Sequence, residues 1–262
     1  MKKGLKICLL LATSFILVGA IIFTVCMSFL GWDFNKLSTF KFQEKQYEIS
    51  ESFQNILIET LDTDIEFKLS TDDKTTVVCY EKVKVYHTVS AENGTLKIKC
   101  TDDRKLFDYL GFSFSSPKIT VFLPSESYND IDIKLTTGDI LINNLTVNKL
   151  NIALTTGDIT IKNTTCSDFT TNGTTGDITL INLIATNKIS AVTSTGDIEF
   201  YLCDANEIYL KTTTGDIDGS LLTGKTFSAK TTTGDIKIPQ NSSGGLCTLI
   251  TTTGDISITV KN

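Results

Sequence analysis

Apolar and polar residues alternate along most of the chain after residue 125, and the alternation restarts at a fixed interval. Each restart carries the motif Thr-Gly-Asp-Ile, and consecutive motif glycines are 19 or 20 positions apart. These glycines are Gly138, Gly157, Gly176, Gly196, Gly215, Gly234 and Gly254. Seven copies at this spacing are typical of a solenoid, in which every period forms one coil.

Each period predicts two strands joined at the motif. Isoleucine follows every motif glycine by two positions, an apolar residue usually stands two positions further, and the position between them is mostly polar. The same alternation precedes the glycine, as at Ile131 and Ile133 in the first period. A period of two indicates a strand with one buried face. Identical repeats favour identical neighbours, so the sequence predicts an all-β, right-handed parallel β-helix with about 19–20 residues per rung.

The motif residues have structural reasons to recur. A corner glycine permits backbone angles that other residues resist, the aspartate accepts turn amides, and the two residues before the glycine favour strands. The aspartates should form a column of like charges: Asp139, Asp158, Asp177, Asp197, Asp216, Asp235 and Asp255. Neighbours about 4.8 Å apart repel by roughly 0.9 kcal/mol even in water. Turn amides, threonine hydroxyls, salt or a bound cation must offset this repulsion.

The motif column is therefore predicted as scaffold first, with a ligand-binding or cation-binding face as the alternative. Ca²⁺ is possible because it takes carboxylate oxygens, although the glycine-rich nonapeptide of calcium β-rolls is missing from the sequence. No other cofactor, no metal site and no catalytic residue is predicted.

The first 32 residues differ from the rest. Lys2, Lys3 and Lys6 precede an apolar run from Ile7 to Trp32, which is long enough to span a membrane. The lysines predict a cytoplasmic N-terminus and an extracellular C-terminal domain. Cleavage after Ala20, as in a signal peptide, is the alternative.

The remaining chain divides by pattern. Residues 33–49 are expected to form a stalk, 50–125 an irregular β cap with the first rungs, and 126–262 the regular solenoid. Within the cap, the sequence DTDIEF at 62–67 resembles a degenerate motif copy. The last rung, after Gly254, is expected to end on an unpaired strand edge, which allows end-to-end self-association there.

Charge and chemistry exclude several functions. Without the three N-terminal lysines, 21 basic residues face 30 acidic ones, a net charge of −9 for residues 33–262. Such a surface does not suit nucleic acid. Seven scattered cysteines indicate neither a disulfide framework nor a zinc site. His87 is the only histidine and is expected to be a surface or core residue, not a base. A catalytic carboxylate pair should break the repeat, so no enzyme is predicted.

The repeated TTGDI motif, the stretch KITVFLP before it and the upstream DTDIEF resemble a bacterial putative-adhesin β-strand repeat family of cell-envelope proteins, a domain of unknown function. The resemblance covers roughly residues 50–260 and implies a β-helix displayed at the envelope, with no agreed catalytic residues. The expected function is a membrane-anchored, non-enzymatic adhesin or envelope-binding protein. The alternative is an envelope-stress sensor or decoy for cationic antimicrobial peptides, and a polysaccharide-active enzyme is less favoured.

Overall fold

The computed structural model describes residues 3–105, 108, 111, 113, 115–125, 127–240 and 243–261. It contains two compact units, one of Met1–Lys41 with Lys105–Ser115 and one of Phe42–Arg104 with Ser116–Asn262. In the first, helix α1 (Lys3–Phe29) is followed by a short 3₁₀ helix, Phe34–Leu37. The mean hydropathy of α1 reaches 2.6, so by length and composition it could cross a membrane. The predicted N-terminal apolar helix is confirmed.

The described part of the second unit contains nineteen strands. They are β1 (Phe42–Ile49), β2 (Asn55–Asp62), β3 (Asp64–Leu69), β4 (Thr75–Lys82), β5 (Val85–Glu92), β6 (Thr95–Asp102), β7 (Lys118–Leu123), β8 (Ser127–Thr137), β9 (Ile140–Asn143), β10 (Thr146–Thr156), β11 (Ile159–Thr175), β12 (Ile178–Val192), β13 (Ile198–Cys203), β14 (Glu207–Lys211), β15 (Ile217–Leu221), β16 (Thr226–Lys230), β17 (Ile236–Lys237), β18 (Leu246–Ile250) and β19 (Ile256–Val260).

Successive repeats pair as parallel strands in register. Leu150 of β10 lies opposite Ile131 of β8 and Phe169 of β11, and Ile159 lies opposite Ile140 and Ile178. The inward residues are almost fully buried, and each contributes about 1.5–3 kcal/mol through burial. The all-β class and the parallel stacking are confirmed, and the unit is β-solenoid-like. The handedness of the coil stays a prediction.

Each motif glycine is required at its corner for two reasons. Its φ lies between 131° and 146° in all seven copies, a region that favours glycine. A Cβ at Gly157 would also overlap the carbonyl oxygen of Gly138, and the same overlap recurs between later rungs. We number the rungs one to seven by these glycines, in chain order.

The opposite corner of the coil uses asparagine. Asn144, Asn163 and Asn182 adopt left-handed angles with φ between 48° and 57°. A second column of amides lies here: Asn182 Nδ2 donates to Asn163 Oδ1 at 3.1 Å, and Asn163 Nδ2 donates to Asn143 Oδ1 at 3.2 Å. Leu202 occupies this position in rung four with φ 54°, a conformation that costs a leucine more than an asparagine.

The N-terminal end of the second unit confirms the degenerate motif copy. Strands β2 and β3 stack in parallel on β8 and β9, and on their other side they pair with β6 and β7. Antiparallel strands β1, β4 and β5 complete this end. Parts of the predicted cap, at 106–107, 109–110, 112 and 114, lie outside the described residues.

The C-terminal end corrects the predicted rung order. Rung seven does not lie at the edge, because β18 pairs with β14 of rung five and also with β16 of rung six. Likewise β19 lies between β15 and β17. The sequences explain the exchange: apolar LCTLI occupies the inner slot, and the more polar TFSAK forms the edge, where lysine is tolerated.

Candidate functional site

The motif aspartates form one continuous hydrogen-bonded ladder. The Oδ1 atom of every aspartate except Asp235, at one end, accepts the backbone N–H of the aspartate in the adjacent rung, at distances between 2.7 and 3.0 Å. In spatial order the ladder runs Asp64, Asp139, Asp158, Asp177, Asp197, Asp216, Asp255 and Asp235. All seven predicted aspartates belong to it. The sequence reading missed Asp64 as a member, although its motif-like context was visible.

This ladder shows how the like charges are accommodated. Each carboxylate except that of Asp235 at the end receives a directed N–H from the next rung, and such charge-assisted bonds are stronger than neutral ones. The ladder uses Oδ1 only, and its residues are exposed apart from the half-buried Asp64 and Asp216. Nearby, burial raises the pKa of the Asp218 carboxyl, and the charges of Asp216, Asp197 and Glu199 raise it further. Carboxylates of rungs four, five and seven therefore lie close enough together to interact.

Threonines stand beside the ladder in two roles. The pair directly before each glycine is exposed, with serine at one place, and it offers hydroxyls and methyl groups to solvent. One position earlier, rungs four to seven carry a further threonine. Its hydroxyl donates to a glycine carbonyl of the adjacent rung, as from Thr212 to Gly196 at 2.9 Å. We call the exposed pairs and the ladder aspartates together the corner face.

A groove of about 610 Å³ borders the corner face near the N-terminal rungs. Exposed threonines Thr136, Thr155 and Thr174 line it, together with apolar Leu61 and the half-buried Cys100. It combines hydroxyls, apolar surface and nearby charge in a concave site, as ligand sites commonly do.

A buried polar network lies behind this groove. Glu81 Oε2 accepts the His87 backbone N–H at 2.6 Å and lies 3.1 Å from Nδ1 of the same residue. Nε2 of His87 is 2.8 Å from Thr60 Oγ1. The other oxygen of Glu81, Oε1, receives Lys45 at 3.1 Å and Gln43 at 3.2 Å. The network thus ties β1, β2, β4 and β5 together.

His87 was expected to be a surface or core residue, and it is 1% exposed. Burial lowers its pKa, while the Glu81 carboxylate partly opposes that shift. The sequence reading missed Glu81 as its partner. The signal was present, because the alternation of Val77, Cys79 and Glu81 turns this carboxylate inward.

The same cluster contains residue types that serve elsewhere as metal ligands and as catalytic groups. Cys79, Glu81 and His87 place potential metal-ligand atoms within 4.8 Å of one another. However, both Glu81 oxygens are already bound by protein donors, and burial raises the pKa of the Cys79 thiol to about 12, which keeps it protonated. Hydroxyl, imidazole and carboxylate follow in the order of a catalytic triad, but Thr60 is buried and also bonds Thr63. The arrangement fits a structural network.

The cysteines agree with the sequence reading. All seven are free, and Cys79, Cys166, Cys203 and Cys247 are buried in the core.

Comparison with known proteins gives one family and several structures. The family model described as Toastrack DUF4097 matches residues 53–262. A Bacteroides fragilis structure described as a putative adhesin is 21% identical, with 84% of this chain and 97% of that chain covered and a TM-score of 0.49. A Clostridium sporogenes structure described as a putative cell adhesion protein is 10% identical, with 84% of this chain and 100% of that chain covered and a TM-score of 0.42.

A Parabacteroides distasonis protein described as a putative lipid binding protein is 17% identical, covering 85% of this chain and 98% of that chain, with a TM-score of 0.37. No curated relative matches the chain. Because the family model covers most of the sequence, the chain belongs to the Toastrack DUF4097 family, a domain of unknown function. The resemblance noted from the repeats is confirmed.

Proposed function

We propose that this Toastrack protein is a single-pass membrane protein whose solenoid lies outside the cell and binds an envelope or host-surface component without catalysis. Helix α1 serves as the uncleaved anchor, and the lysines before it keep the N-terminus in the cytoplasm. The solenoid is right-handed, the default for parallel crossovers.

The observation that carries the proposal is the corner face. It repeats hydroxyls and carboxylates on every rung, and bonds from backbone amides of neighbouring rungs hold the carboxylates in place. A polymer with repeating units can contact several rungs at once, and many weak contacts add through avidity. The groove beside Thr136, Thr155 and Thr174 supplies a concave end to this surface.

The test uses the full chain in nanodiscs and purified cell-wall polysaccharide from the organism that encodes it. Threonines 136, 155 and 174 are changed together to lysine. The control changes Thr146, Thr165 and Thr186 to lysine, three exposed threonines away from the corner face. Both variants gain the same charge. We expect binding to fall at least tenfold in the first and to persist in the second. Equal loss in both would contradict a role for the corner face.

A second candidate function is a sensor or decoy for cationic antimicrobial peptides. Burial raises the pKa of the Asp218 carboxyl, and the charges of Asp216, Asp197 and Glu199 raise it further, so these carboxylates form an acidic cluster that suits a cationic peptide. A polylysine probe distinguishes the two candidates. Polylysine binding that disappears in about 1 M NaCl, where the Debye length is about 3 Å, favours the peptide decoy. Polysaccharide binding that does not depend on salt favours the adhesin.

A further inference from the structure

The edge rung is incomplete on one side, and this leaves a cleft at the C-terminal end of the solenoid unit. Strand β17 has only two residues, which pair with Ile256 and Ser257 of β19. Further along β19, Ile258, Thr259 and Val260 pair with β15 on one side and with no strand of the described residues on the other.

The free side of β19 presents unpaired backbone groups to this cleft. Ile256 donates its N–H toward rung six, to the carbonyl of Asp235, whereas Lys261 donates toward rung five, to Leu221. Because successive backbone groups in a strand alternate in direction, the groups of Ile258 and Val260 also point toward rung six. The parallel pairing of Ser257 with Lys237 uses the Ile258 N–H, so the Ile258 carbonyl and the Val260 N–H and carbonyl face the cleft. Such an edge is a template for an added strand.

The cleft has a volume of about 550 Å³ and a mainly apolar wall. Ile238, Pro239 and Val260 line it, and none of the described lining residues is acidic. Lys237 also lines it, and the exposed Lys261 directly follows β19. The two lysines at its border make this apolar cleft complementary to a chain that carries carboxylates.

We propose that this cleft binds an extended acidic polypeptide segment, which adds to β19 as a further strand. Main-chain bonds to Ile258 and Val260 give affinity, the apolar wall accepts alternate side chains, and the lysines select carboxylates on the others. The site is separate from the corner face, so it does not depend on the function proposed above.

The test measures fluorescence anisotropy with the full chain in nanodiscs and two labelled probes. One probe is Glu-Val-Thr-Val-Glu, and the other replaces both glutamates with lysine. We expect the acidic probe to bind at least tenfold more tightly. Val260→Pro should abolish binding, because it removes a cleft-facing N–H while leaving the bonds that Thr259 and Lys261 direct toward β15.

Lys237→Glu should weaken binding of the acidic probe at least tenfold and strengthen binding of the basic probe. Its control is Lys211→Glu, the same charge change at an exposed position on rung five, which should leave both affinities unchanged. Circular dichroism checks that each variant is folded. Equal affinity for the two probes, or equal loss with both lysine variants, overturns the proposal. Concentration-dependent dimers that Val260→Pro removes would assign the cleft to a second copy instead, which also overturns it.

Discussion

At the residue scale, Leu202 is a defect in an otherwise regular corner. Its left-handed conformation costs about 1 kcal/mol more than an asparagine would pay, and the column below it ends at Asn182. We expect Leu202→Asn to raise the melting temperature by about 2–4 °C, both by relieving strain and by extending the amide column. Thermal unfolding followed by circular dichroism measures this. Leu202→Ala keeps the strain and should give no gain; an equal gain would show that side-chain exposure, not backbone strain, is responsible.

His87 gives the fold a pH dependence with a definite sign. Burial lowers its pKa in the folded protein, so protons bind more readily to the unfolded chain. Stability is therefore full above the unfolded pKa of about 6.5 and falls as the pH decreases toward the lowered folded value. Because this is the only histidine, His87→Gln should flatten urea midpoints between pH 7.5 and 5.5. The variant should also lose about 1–3 kcal/mol at pH 7.5, because Glu81 and Thr60 lose a partner. If the urea midpoint of His87→Gln depends on pH as steeply as that of the wild type, His87 is not the source of the pH dependence.

Asp218 gives the stability a pH dependence of the opposite sign to that from His87. Its raised pKa means that the folded state favours the protonated form, so the ionised carboxylate is destabilising at neutral pH. Asp218→Asn should stabilise the protein at pH 7.5, and the difference from wild type should close as the pH falls through the raised pKa. Urea unfolding at pH 7.5 and 4.5 measures it. Asp132→Asn is the control and should show no comparable gain at pH 7.5.

At the element scale, the rung order is the feature that sequence could not supply. Period and alternation predicted the strands, the corners and the core residues, because each depends on local backbone geometry. The order of the last two rungs depends instead on a competition. Both β16 and β18 directly precede the sequence Thr-Thr-Thr-Gly-Asp-Ile, so either could stack on rung five. The inner strand β18 buries Cys247 and Leu249 completely, which favours the observed order.

The candidate site also has one part that the sequence predicted and one part that it did not. The aspartate column followed from the repeat, but its bonding to neighbouring amides required the stacking distance. The partnership of His87 with Glu81 joins residues of a hairpin to Thr60 on a distant strand, and no repeat encodes it.

Paired cysteines test the rung order directly. Thr252 donates its N–H to the carbonyl of Thr213, so their exposed side chains lie on adjacent rungs. We expect Thr213→Cys with Thr252→Cys to form a disulfide under mild oxidation, whereas Thr213→Cys with Thr232→Cys should not, because rung seven separates them. Peptide mass spectrometry identifies the linkage. A disulfide in the second pair but not in the first would show that the rungs stack in chain order.

At the scale of the whole solenoid unit, the ladder and the net charge of −9 lead us to expect a stability that depends on ionic strength but not on a particular cation. Every ladder carboxylate except that of Asp235 accepts a backbone amide through Oδ1, so we expect the fold to form without a metal to bridge the column. The remaining repulsion acts between partly exposed charges, and salt at physiological strength largely screens those that lie more than about 8 Å apart. Raising NaCl from about 10 to 150 mM should therefore increase the melting temperature.

At equal ionic strength, Ca²⁺ and Mg²⁺ should raise the melting temperature equally. Asp177→Asn provides the internal control, because its side-chain carbonyl can still accept the amide of Asp197 while one charge is removed. This variant should be at least as stable as wild type at low salt, and its advantage should shrink as salt increases. A rise of several degrees with millimolar Ca²⁺ beyond that with Mg²⁺, lost in Asp177→Asn, would instead make the column a calcium site, since a selective ion needs the carboxylate charge that simple screening does not.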